Sequence, residues 1–307
     1  WDEVIPVDIK KFKTFSRYRW YMLRQIQSLE AKISIQPTFS REFYHGDSLV
    51  RASLAAQKVS SRGDMSNRNW LKKFLADRWH TELIPATTGT SGSPIPLNEL
   101  ERNVDFFSKF SRSPFFTSYP RLKIPEFWLS SEWGKVPFYV LVPGASSVWK
   151  EWPTAFFANL ARKVHQQTGW KGLICGTQNE HILGEQILKQ CDAPLQNLAG
   201  QTKLPELVGL LSQSKLTISN DTGSAHIAFA VGKPTVCILG GGHFGRFVPY
   251  PDLSGQTNRL KAVYHKMPCY GCNWECVYPI KKGEPAPCIA NVSVDAVWEK
   301  VKPLLTC

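Results

Sequence analysis

The run Asn220-Asp221-Thr222-Gly223-Ser224-Ala225-His226 brings together groups suited to holding an anion. Asp221 and Thr222 are capping residue types. Gly223 lets a ligand approach the backbone. Free N–H groups at a helix start attract phosphate, and the helix dipole adds to that attraction. His226 falls within one helical turn of the same point. Read alone, the run is more often an ordinary helix cap followed by a buried histidine, because helix starts commonly look like this.

Two other stretches offer complementary chemistry. Pro143-Gly144-Ala145-Ser146-Ser147 is followed by Lys150, set between Trp149 and Trp152. A lysine in such a loop can neutralise phosphate charge, or it can be a surface cation beside aromatics that pin the loop. Cys175-Gly176-Thr177-Gln178-Asn179-Glu180 ends in an acid. That carboxylate can accept ribose hydroxyls, or it can simply complement the dipole of its own helix.

These loops need a scaffold. In the second half, apolar runs at 137–142, 171–175, 215–219 and 234–239 read as strands. Helical patterns at 153–167, 179–190, 204–213 and 222–231 separate them. Alternating strands and helices imply a parallel sheet covered on both faces. Ligands of such sheets bind outside the carboxyl ends of the strands, where all three loops fall. The first half is less regular. Residues 1–7 and 31–37 read as strands, and 17–31 and 70–78 as helices. Residues 86–96 read as an exposed loop. Asn98 with Glu101 reads as a cap opening a helix to about residue 110. A stretch rich in Pro and Ser at 111–135 divides the chain into 1–130 and 131–307.

The combination resembles glycosyltransferase family 9, whose best-known members are the lipopolysaccharide heptosyltransferases. The resemblance rests on Pro143-Gly144-Ala145-Ser146 leading to Lys150-Glu151-Trp152-Pro153, and on Asp221-Thr222-Gly223-Ser224-Ala225-His226-Ile227-Ala228. It covers most of 137–250 and is looser before that. It implies a GT-B fold of the α/β class, with two doubly wound Rossmann-like domains facing a cleft. The first would be an acceptor-side domain and the second a donor domain. By resemblance, Ser146 and Lys150 contact the donor diphosphate and Glu180 the ribose. Thr222, Gly223 and His226 line the phosphate and sugar end, with Asp221 beside them. The general base of the family is an Asp in an N-terminal Gly-Asp loop, expected before Trp1. Gly46-Asp47 and Gly63-Asp64 read as turns, so no catalytic residue is assigned.

Other features carry less. Gly240-Gly241-Gly242-His243-Phe244-Gly245 has dinucleotide-site spacing but needs a helix next. Pro249 and Pro251 argue against one, so a glycine-rich loop near the donor is expected. Cys269, Cys272, Cys276 and Cys288 are enough thiols for a structural zinc, but without two regular Cys-x-x-Cys pairs. Reduced thiols or one disulfide fit as well, and no metal or cofactor is assigned. The formal net charge is +12. Lys10, Lys11, Lys13, Arg17, Arg19 and Arg24 interleave with Phe12, Phe15, Tyr18, Trp20 and Tyr21. That stretch is either a solvated helix with inward aromatics or an interfacial patch facing anionic lipid. No apolar run is long enough to span a bilayer. Charge alone supports nucleic-acid binding, with no recognised motif, and none is expected.

The sequence thus points to transfer of heptose or a related sugar from a nucleotide diphosphate donor, ADP-linked by resemblance. The acceptor would be lipopolysaccharide or another glycan. Transfer would be inverting and metal-independent, in the cytoplasm or peripherally at the inner face of the inner membrane. The other reading is a non-catalytic nucleotide-binding module of the same fold.

Overall fold

The structure is a computed structural model, described for residues 3–13, 16–87, 97–129, 133 and 135–305. It divides into two compact units. One comprises residues 1–91 and 99–117, the other 92–98 and 118–307. The sequence-based division at 130/131 falls after the last of these breaks.

The first unit contains α1 (Ile9–Lys13), α2 (Arg17–Gln27), β1 (Ile33–Gln36), α3 (Ser48–Ala52), β2 (Gln57–Ser61), α4 (Trp70–Asp77), β3 (Glu82–Ile84) and α5 (Glu99–Ser111). Its strands form a parallel sheet in the order β1-β2-β3. Ser16 and Asn69 cap α2 and α4 through their side-chain oxygens, which satisfies a backbone donor at each start. Residues 3–7 are not a strand, contrary to the pattern of their sequence. Residues 1 and 2, Phe15, most of the 86–96 loop and Cys307 lie outside the described residues. Asp47 is not in an open turn. It is fully buried, with its carboxylate 3.0 Å from the Arg68 guanidinium, 3.5 Å from that of Arg41 and 3.4 Å from His80. Asp77 also pairs with Arg41. Buried charges are tolerated only in such company, so this network is structural.

The second unit contains β4 (Phe138–Val142), α6 (Thr154–Thr168), β5 (Lys171–Ile174), α7 (His181–Lys189), β6 (Leu195–Asn197), α8 (Leu204–Gln213), β7 (Leu216–Asn220), α9 (Gly223–Ala230), β8 (Thr235–Ile238), β9 (Leu260–Val263), α10 (Pro287–Ala290) and α11 (Val294–Val301). All six strands are parallel, in the order β6-β5-β4-β7-β8-β9. The expected α/β parallel architecture is therefore present in both units. In β4, Tyr139 and Leu141 face a core built with α6 and α11. Phe138, Val140 and Val142 face a second core with α8 and α9. Burial on both faces explains the unbroken apolar runs of this half.

Chain order reverses between β4 and β7. Strands β5 and β6 grow outward from β4 on one side, and β8 and β9 from β7 on the other. The loops leaving β4 and β7 therefore diverge and leave a crevice at the strand ends.

Candidate donor site

The loop after β4 and the loop after β7 are tied together by one buried side chain. The Asn220 amide donates to the Pro143 carbonyl at 2.6 Å, and its oxygen accepts the Trp152 N–H at 3.2 Å. Trp152 is buried and donates its indole N–H to Val292 at 2.7 Å. The loop bearing Ser146 and Lys150 is thus fixed against the start of α9.

Thr222 is the N-cap of α9, in extended conformation, but its side chain caps nothing. Its hydroxyl lies 3.2 Å from that of Ser219 instead. The first N–H groups of α9 are left without a side-chain acceptor, unlike those of α2 and α4. A Cβ built on Gly223 would meet no atom within 4 Å, so the backbone there borders open space. Thr222 thus holds the N-cap position that its residue type suggests, without the side-chain cap of the alternative reading. The Ala225 N–H is donated to the Thr222 carbonyl at 3.1 Å, and the Gly223 and Ser224 N–H groups stay available for an anion.

All seven residues singled out in the sequence converge here. Ser146, Glu180, Thr222 and Gly223 line a cavity of about 810 Å³. Lys150, Asp221, Thr222, Gly223 and His226 line a second of about 350 Å³. Thr222 and Gly223 belong to both, so the two cavities meet at the start of α9. The larger has the size and apolar lining of a small-molecule site.

The Lys150 ammonium donates to the Ser146 hydroxyl at 3.2 Å and sits 4.4 Å from the centre of the Trp274 indole ring. Burial lowers the Lys150 pKa, and Asp221 counteracts it. Glu180 turns back on its own helix. It accepts the Thr177 N–H at 2.6 Å, while the Thr177 side chain accepts the Glu180 N–H in return. A Cβ on Gly144 or Gly176 would collide with the Glu180 carboxylate. The glycines in both loops make room for it.

Asp221 and His226 form a partly exposed pair, 3.8 Å apart. Burial raises the Asp221 pKa, against the pull of His226, His243 and Lys150. Burial lowers that of His226, against the pull of Asp221. Both groups are therefore biased toward their neutral forms. His226 Nδ1 is 2.8 Å from the Tyr250 hydroxyl. Burial pushes the Tyr250 phenol up to about 12, so it is neutral rather than a phenolate. A neutral phenol can donate to Nδ1 or accept from it, so both neutral tautomers of His226 fit this contact.

Several participants were not singled out in the sequence. Asn220 adjoins the motif but has no signature of its own. Tyr250, His243 and Trp274 come from irregular segments. Asn273 and Trp274 have φ of +51° and +65°, a costly pair of conformations for such residues. His243 Nε2 lies 2.9 Å from Asn273 Oδ1, which helps hold the turn. A Cβ on Gly240 or Gly242 would collide with the Trp274 indole. Turns follow Gly245 rather than a helix, so the glycine run seats Trp274. Cys269, Cys272, Cys276 and Cys288 are all free thiols, and the Cys288 sulfur accepts the Gly241 N–H at 3.5 Å. Among the described residues, no three His, Cys, Asp or Glu side chains converge as metal ligands do.

Known proteins share this architecture. The family 9 glycosyl transferase of Veillonella parvula superposes with a TM-score of 0.69 at 15% identity, over 95% of this chain and 80% of the other. The E. coli ADP-heptose lps heptosyltransferase II gives 0.63 at 19% identity, over 98% and 82%. These likenesses establish the GT-B fold. In sequence, the chain is 32% identical over 151 residues to lipopolysaccharide heptosyltransferase 2 of Salmonella typhimurium, covering 48% of this chain and 42% of the relative. It is 31% identical over 163 residues to the E. coli protein of the same name, covering 48% and 45%. The chain thus spans about half the length of the curated relatives it matches. Residues 93–273, more than half the chain, match the profile of glycosyltransferase family 9 (heptosyltransferase), and the chain belongs to that family.

Proposed function

We propose that the second unit binds an ADP-linked sugar, heptose or a close relative, and that the whole protein transfers it to a lipopolysaccharide or other glycan acceptor. The observation that carries this reading is the uncapped start of α9 facing Lys150 and Ser146 where the strand order reverses. A diphosphate there receives backbone N–H groups, a hydroxyl and an ammonium. The larger cavity takes the nucleoside, with Glu180 toward the ribose. The smaller cavity, with Asp221 and His226, takes the sugar. Relatives named for heptose transfer and for ADP-heptose support the choice of donor.

In this reading the acceptor hydroxyl loses its proton to a base and attacks the anomeric carbon from the face opposite the diphosphate. The bond from that carbon to the diphosphate oxygen breaks, and nucleoside diphosphate leaves with inverted configuration in the product. Lys150 and the α9 N–H groups stabilise the charge that develops on the leaving oxygen, the work of preorganised dipoles and cations. No divalent ion is required for that role. The protein acts in the cytoplasm, peripherally at the inner face of the inner membrane, without nucleic acid as a partner.

An assay of transfer from ADP-heptose tests this. Turnover is expected to persist in excess EDTA, and NMR of the product to show the inverted anomer. Activity abolished by chelation and restored by a divalent ion, or a retained anomer, contradicts the proposed mechanism.

A further inference from the structure

The first unit carries an apolar surface that the donor site does not use. In α4, Trp70, Leu71, Phe74 and Leu75 are 71%, 47%, 49% and 40% exposed. Their spacing puts them on one helical face. Soluble surfaces scatter such residues rather than align them. Leu75 and Trp79 continue the stripe into a cavity of about 890 Å³, whose other walls include Trp20, Leu23, Tyr44 and Leu54. Trp20 and Leu54 are themselves exposed.

Cations ring this surface in one arrangement. The Arg24 guanidinium lies 3.8 Å over the Trp20 ring, Arg51 4.7 Å over Trp79, Arg78 4.1 Å over Phe74, and the Lys72 ammonium 4.8 Å over Tyr44. Each is packed against an aromatic ring, the geometry in which a long basic side chain covers apolar surface and keeps its head hydrated. Among the described residues none of these four heads has a carboxylate partner. Helices α2 and α3 contain no acid, and the one acid of α4, Asp77, is committed to Arg41 and Lys73.

We propose that the exposed face of α4, with the α2–α4 cavity beside it, docks on an anionic phospholipid bilayer. Headgroup phosphates meet the cationic heads, and the Trp, Phe and Leu side chains enter the boundary with the acyl chains. This keeps Trp20 and Arg24 of the basic stretch that the sequence suggested and centres the contact on α4 instead of α1. In the rest of that stretch Phe12 is buried, and Arg19 is spent on the Phe12 and Tyr44 carbonyls and the Ser48 hydroxyl. The inference gives a surface to the peripheral contact proposed above and does not depend on the donor site.

Co-sedimentation with phosphatidylglycerol-containing and pure phosphatidylcholine vesicles tests it. The chain should bind the anionic vesicles and bind the neutral ones far less. Trp70→Ser with Phe74→Ser should lower partitioning by roughly tenfold or more. Arg24→Glu with Arg78→Glu should remove the preference for anionic lipid. These side chains are on the surface, and unchanged circular dichroism and nucleotide affinity in the variants would show that the fold and the donor site are intact. Equal binding by the variants and the parent overturns the proposal. So does a parent that ignores anionic vesicles, or one that self-associates in solution through a contact abolished by Trp70→Ser.

Discussion

Lys150, Asp221 and His226 share one cavity, and their burial makes donor binding sensitive to pH. His226 has a lowered pKa and Asp221 a raised one, each through desolvation. A diphosphate placed beside them adds negative charge. That favours protonated His226 and disfavours ionised Asp221, so both pKa values rise on binding. The bound state then holds more protons than the free state, and affinity must increase as pH falls. The histidine sets the window, and because burial lowers the His226 pKa of the free protein, its acid edge lies below the ordinary imidazole range. Calorimetry in buffers of different ionisation enthalpy should show proton uptake on ADP binding. His226→Gln should take up less, which separates the histidine from the titration of ADP itself. The same net proton exchange in the variant and the parent contradicts the placement of the diphosphate.

At the scale of elements, the strands and helices around the site were legible because their physics is local. Strand β4 is an unbroken apolar run because both its faces are buried, and α8 was bounded correctly at both ends. Strands β6 and β9 were missed. Each is short, and Leu195-Gln196-Asn197 and Leu260-Lys261-Ala262-Val263 mix polar and apolar residues, as edge positions allow. Which of the two readings of Asp221 and Thr222 applied, side-chain cap or open helix start, was undecided for a related reason. Cap-forming residue types mark a helix start, but whether the side chain turns in or leaves the N–H groups open is a tertiary matter. The seating of Trp274 was out of reach too. The glycine run and the Trp274 turn lie far apart in sequence, and no periodicity joins them.

That seating makes a prediction of its own. In Gly242→Ala the new Cβ would displace the Trp274 indole, and Lys150 would lose the ring beneath its ammonium. A cation–π contact of this kind is worth about 0.5–2 kcal/mol. ADP affinity should therefore fall by roughly two- to thirtyfold, measured by titration calorimetry. Trp274→Tyr should retain most of the affinity. Unchanged ADP binding in Gly242→Ala would mean that Trp274 does not position Lys150.

For the molecule as a whole, the division of labour follows from where each unit places its polar groups. The second unit leaves backbone donors, Lys150 and the Asp221–His226 pair open to cavities at the strand ends. The first unit buries its ionic cluster around Asp47 completely and exposes aromatics and cations on α2 and α4. The positive net charge was visible in the sequence, but not which cations are consumed internally. Arg41 and Arg68 are fully buried in ion pairs, whereas Arg24 and Arg78 are exposed and stack on rings. Only packing separates the two classes.

The claim on which the rest depends is that the start of α9 and Lys150 together hold a nucleoside diphosphate. Titration calorimetry of the chain with ADP, UDP, GDP and their sugar conjugates, alongside Lys150→Ala, tests it most directly. A charge-assisted contact contributes about 1.5–3 kcal/mol. The parent should thus bind ADP or ADP-heptose saturably, and Lys150→Ala should weaken that binding by roughly ten- to a hundredfold. A folded Lys150→Ala variant that binds the same nucleotide as tightly as the parent would contradict the account.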